Sequence, residues 1–173
     1  MKKWMLVLLL FGVACGKTEV DEGSEDAGTH PEEESEEMNS FSGYVMDQHE
    51  NRILVVNTIE NEGGSPIWVS GVDQGMWIGK KVEVRIAGQV AESYPMQGEA
   101  KDVQVVESPS PEGASLTESQ VLAKALAGID RSNALAVESL TYEAEDDHWT
   151  VKLRSTVTES GSEKVIISDK LPD

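Results

Sequence analysis

From Phe41 onward the apolar residues come in short runs with the period of β-strands. Phe41–Asp47 (FSGYVMD) and Arg52–Asn57 (RILVVN) flank the polar stretch Gln48-His49-Glu50-Asn51, which predicts a hairpin with a four-residue loop. After a Gly-Gly-Ser-Pro break, Ile67–Ser70 (IWVS) reads as a third strand. Gly79-Lys80-Lys81 leads into Val82–Ala87 (VEVRIA), where Val82, Val84 and Ile86 share one face. Ser93-Tyr94-Pro95-Met96-Gln97-Gly98 reads as a loop before a fifth strand, Ala100–Val106. Five short strands without a helix predict a closed or partly closed barrel of the oligonucleotide/oligosaccharide-binding type over 41–107.

The period changes after Ser108–Gly113 (SPSPEG), a Pro/Ser/Gly linker placed at 108–114. Ser115-x-x-Glu118 has the form of a capping box. Val121, Leu122, Ala125, Leu126 and Ile129 then form one stripe of an amphipathic helix that Gly128 ends. Three strands follow: Ala136–Tyr142, His148–Arg154 and Lys164–Ser168, the first two joined by a turn at Glu145-Asp146-Asp147. Trp149, Val151 and Leu153 alternate with Thr150, Lys152 and Arg154, so one face is buried and the other wet. The expected fold is therefore mainly β, a five-stranded OB-like barrel followed by a helix plus a three-stranded antiparallel sheet over 115–173. A unit of that second size is marginal alone and should pack on the barrel or on a partner.

Upstream of the strands the chain carries two biased segments. Lys2 and Lys3 precede an uncharged apolar run, and Trp4 to Ala14 would span only about 16 Å as a helix, against about 30 Å for a bilayer core. That is the form of a signal peptide, residues 1–14. Gly12-Val13-Ala14-Cys15 resembles the bacterial lipobox, although Gly12 stands where most lipoboxes carry Leu. The resemblance implies that Cys15 receives a diacylglyceryl thioether and becomes the first residue after cleavage. The other reading is an ordinary secretory signal cut elsewhere, with Cys15 incidental. From Gly16 to Ser40 there are ten acids against Lys17 alone, and only Val20 and Met38 are sizeable apolar residues. Such a segment cannot offset its ordering entropy by burial, so 15–40 is expected to be the lipidated Cys and a disordered acidic spacer.

Charge and cysteine content narrow the function. A net charge of −18 argues against nucleic acid, which needs clustered Lys and Arg. The single cysteine excludes an intramolecular disulfide and stands where lipid chemistry requires a thiol.

The set GYVMDQHENRILVVN, the Trp-containing third strand and IGKKVEVRIAGQVAESYPMQGEAKDVQV resembles the YobA-type domain of unknown function over about 41–107. That domain occurs in small lipoproteins of Gram-positive bacteria, bacilli especially. The resemblance implies a surface lipoprotein and supplies no activity. The C-terminal unit is similar, more distantly, to the helix-then-strands modules of the PepSY type.

A search for chemistry returns little. No G-x-S-x-G elbow, Gly-rich phosphate loop or H-E-x-x-H occurs, so no catalytic residue, metal site or cofactor is assigned. Ser93 and Ser108 have no neighbouring motif that supplies a base. His30, His49 and His148 are dispersed. Asp146-Asp147-His148 has ligand types, yet an acidic turn before a strand is ordinarily just solvated. The candidate binding loop is Tyr94, Met96 and Gln97. The competing reading has Tyr94 plugging the barrel while Met96 and Gln97 point outward, and it is the one preferred here. Trp68 and Trp77 are expected to pack in the core or at the barrel mouth. The functional expectation is a non-catalytic adaptor, lipid-anchored outside the cell membrane, that binds a protein or cell-wall component and no nucleic acid. The alternatives are a small extracytoplasmic hydrolase, or an inhibitor or chaperone of a secreted enzyme.

Overall fold

The computed structural model describes residues 40–59, 64–158 and 161–171. The expected signal peptide, Cys15 and the expected acidic spacer lie outside the described residues, apart from Ser40, which opens the first strand. The barrel strands are β1 (Ser40–His49), β2 (Arg52–Val56), β3 (Pro66–Ser70), β4 (Lys81–Ala91) and β5 (Met96–Val105). They close in the order β1-β2-β3-β5-β4, with β3 and β5 parallel and the other pairs antiparallel.

Two local expectations are corrected. The first hairpin is tighter than its polar run suggested: His49 pairs with Arg52, and Glu50 takes φ 53° in the turn between them. β5 begins at Met96, four residues earlier than expected, because Met96, Gln97 and Gly98 pair with Ile67, Trp68 and Val69 of β3. Met96 and Gln97 are thus strand residues and not loop residues.

The barrel interior is lined by Val45, Ile53, Val55, Ile67, Val69, Val82, Val84 and Ile86, all buried. Alternate residues of β1 and β2, namely Tyr44, Met46, Leu54 and Val56, point outside the barrel and are equally buried. They are covered by the C-terminal unit: helix α1 (Glu118–Ala127) and strands β6 (Leu135–Glu143), β7 (His148–Ser155) and β8 (Glu163–Ser168), in sheet order β6-β7-β8. The helical stripe Val121, Leu122, Ala125 and Leu126 joins Trp149, Val151 and Leu153 and the outward barrel residues in one core.

The helix starts two residues later than the Ser115/Glu118 box. Thr117 is the N-cap, and Gln120 completes the reciprocal pair. The Ser115 N–H is engaged elsewhere, by Asp169, and Leu116 is fully buried one residue before the cap, in the same core as Val121. That is the arrangement of a hydrophobic staple.

Candidate functional site

In an OB-type barrel, ligands are usually gripped on the face of strands 2 and 3, between the β1–β2 and β4–β5 loops. Here that face carries Leu54, Val56 and half-buried Trp68, and all three pack into the core shared with the C-terminal unit. The guanidinium of Arg52 caps the Trp68 ring, 4.9 Å from its centroid. The β4–β5 loop is also engaged. Tyr94 donates its hydroxyl to Thr156 Oγ1 beyond the end of β7, and Thr156 in turn donates to the Ala134 carbonyl.

Tyr94 is 58% exposed, so it does not plug the barrel. The Tyr94–Pro95 bond is cis. Met96 is half-buried against the barrel core, because its strand pairing with Ile67 turns it toward the interior residues. Gln97 is exposed and donates to Ser93 Oγ. The three candidate loop residues are therefore not presented together on one surface. Trp77 is half-buried, with Lys80 5.2 Å from its ring centroid, and its indole N–H donates to the Asp73 carbonyl.

A concavity of about 320 Å³ lies instead where the ends of β4 and β5 meet the start of α1. Tyr44, Val105 and Val106 supply its apolar wall, Lys80 and Lys81 its cations, and Glu107 and Glu118 its carboxylates. Val105 and Val106 are 43% and 37% exposed. The Tyr44 hydroxyl donates to Glu118 Oε2 at 3.2 Å, and Lys81 Nζ lies 5.7 Å from the Tyr44 ring centroid. Burial first, and then the charge and hydrogen bond of Glu118, hold the Tyr44 phenol well above its ordinary pKa, so it stays a neutral donor. The helix is brought to this place by Gly79. With φ +87°, it lies so close to α1 that a Cβ there would be 2.4 Å from the Ser119 carbonyl oxygen. In the sequence, Lys80 and Lys81 are the approach to one strand, and Val105 and Val106 the end of the next. No local sequence signal marked the groove, because the exposure of the valines and their nearness to the lysines arise only in the fold.

With this geometry in hand, comparison with known proteins gives one result. Residues 42–107 match a family described as a protein of unknown function, DUF3221. The DUF3221 match takes in all of the barrel but the first two residues of β1, covers less than half of the 173 residues, and leaves out α1 and β6–β8. No curated protein and no solved structure matches the chain.

The remaining sequence candidates lie elsewhere. Ser93 donates to the Pro95 carbonyl, and Ser108 lines the concavity. His49 is exposed at the first hairpin. His148 opens β7 beside the turn at 144–147.

Proposed function

We propose that this chain is a non-catalytic binding module, carried on the outer side of a membrane by lipidated Cys15, and that a protein or cell-wall partner seats in the concavity beside the start of α1. The observation that carries the reading is the exposed Val105–Val106 wall beside Lys80 and Lys81, a cationic pair that balances the groove's two carboxylates on a chain of net charge −18. Valines next to lysines suit a protein segment in which an apolar residue neighbours a carboxylate. The usual OB gripping face is covered by the chain's own C-terminal unit, whereas this groove is open to a partner. The likeness of 41–107 to YobA-type lipoproteins and the lipobox-like Gly12-Val13-Ala14-Cys15 support the surface location.

A photo-crosslinking residue at Val106, compared with one at exposed Val157, tests this in intact cells. A discrete adduct from position 106, lost on Lys81→Glu, is the expected result. The same adducts from both positions would overturn the groove as the contact. Fatty-acid labelling that Cys15→Ser does not abolish would overturn the anchor.

A further inference from the structure

We infer that the β6–β7 hairpin holds a divalent transition-metal site built from Glu143, Asp146 and His148. The ligand atoms of these three side chains all lie within 4.8 Å of one another. His148 Nε2 and Glu143 Oε1 are already 3.8 Å apart. Two donors at the usual zinc distance of about 2.1 Å from one ion are about 3.4 Å apart, so closure needs only small rotations. Glu143 and Asp146 are exposed, and nothing buried has to move for such rotations.

The backbone sets this grouping. Glu143 and His148 face each other as a cross-strand pair, and the Asp146 N–H donates to the Glu143 carbonyl, returning the turn over that pair. Asp147, the neighbour that sequence alone would have chosen, is turned away. Its carboxylate accepts from the Tyr142 hydroxyl and its carbonyl from the Asp169 N–H. Glu143 takes its place.

A contact outside the group also orients it. The hydroxyl of buried Thr150 donates to Glu143 Oε1 at 2.9 Å, the kind of outer hydrogen bond that aims a ligating carboxylate. His148 is itself held, its side chain only 20% exposed. One imidazole nitrogen with two carboxylates is a donor set for Zn²⁺ and its first-row neighbours, whereas Ca²⁺ prefers oxygen alone. Three protein ligands leave a fourth position open to water or to a ligand supplied by a partner.

Calorimetric titration of the full chain with Zn²⁺, its only thiol removed by Cys15→Ser, tests the site. One saturable equivalent is expected, abolished by His148→Ala and by Asp146→Asn but kept in His49→Ala. The imidazole resonance of His148 should shift on loading. Thr150→Val should weaken binding by about tenfold or more while the hairpin remains folded. Zn²⁺ binding that survives His148→Ala unchanged would overturn the assignment, as would the absence of any saturable step. Equal displacement by Ca²⁺ would overturn the mixed nitrogen and oxygen donor set.

Discussion

Asp169 is the residue on which the C-terminal unit converges. Its carboxylate, in a residue only 3% exposed, accepts the backbone N–H groups of Ser115 and Leu116 and the indole N–H of Trp149. Burial alone would raise its pKa. The hydrogen bonds outweigh that and hold it below the ordinary carboxylate range. Because the folded value is lower than the unfolded one of about 3.9, the contribution is complete above that pH and lost as pH falls through the folded value. Urea melts between pH 2 and 6 should therefore show a flatter acid limb for Asp169→Asn than for wild type. Asp169→Ala should cost about 3 kcal/mol or more, since two buried donors and one part-buried donor lose their acceptor. An identical acid limb in both proteins would contradict the ionised clamp. Trp149→Ala, which removes a fully buried indole from the core it shares with Leu122 and Leu126, should cost about 3–5 kcal/mol, read as a lowered urea midpoint. The alternation around Trp149 made its burial legible in the sequence. Nothing in Ser168-Asp169-Lys170 marked the aspartate, because its partners all lie upstream, Trp149 by 20 residues and Leu116 by 53.

Among the elements, those with a local signature were legible. The β7 alternation, the α1 stripe and the strand VEVRIA all report their own buried face. β1 and β2 also carried a message in YVM and ILVV: unbroken apolar runs belong to strands buried on both sides. The start of β5 was not legible, since Met96-Gln97-Gly98 becomes a strand only by parallel pairing with β3. The approach of α1 to the barrel was equally silent, because it depends on a missing side chain. Gly79→Ala would place a methyl group 2.4 Å from the Ser119 carbonyl oxygen and 2.7 Å from the Ala123 nitrogen, both backbone atoms. Gly88 has a similar positive φ of +69° and open space around it. Thermal melts should show Gly88→Ala costing about 1–2 kcal/mol for the left-handed backbone alone. Gly79→Ala should cost clearly more, and equal losses would mean that helix contact is not what that glycine serves.

At the scale of the molecule, barrel and C-terminal unit share one hydrophobic core and form one compact unit. Tyr44, Met46, Leu54 and Val56 belong to the barrel by chain and to the second core by contact. Arg131 adds an ion pair to Asp47 at 2.9 Å across the same junction. The sequence left open whether the C-terminal unit rests on the barrel or on a partner, because a strand run does not say what covers its outer side. A fragment ending at residue 107 should expose that apolar face and either aggregate or bind a hydrophobic dye, while 40–173 unfolds in a single cooperative step. A monomeric, cooperatively folding 40–107 would show the barrel to be independent. The shared core also sets an order in time. As the chain emerges from synthesis, the barrel strands are complete at β5, but Leu122, Leu126, Trp149 and the Asp169 clamp follow over roughly sixty more residues. At about 5–20 residues per second, the outer face of β1 and β2 waits roughly 3–12 s for its cover. During that interval the nascent chain presents a sticky patch to any holding chaperone, and slowing elongation after Val105 would lengthen it.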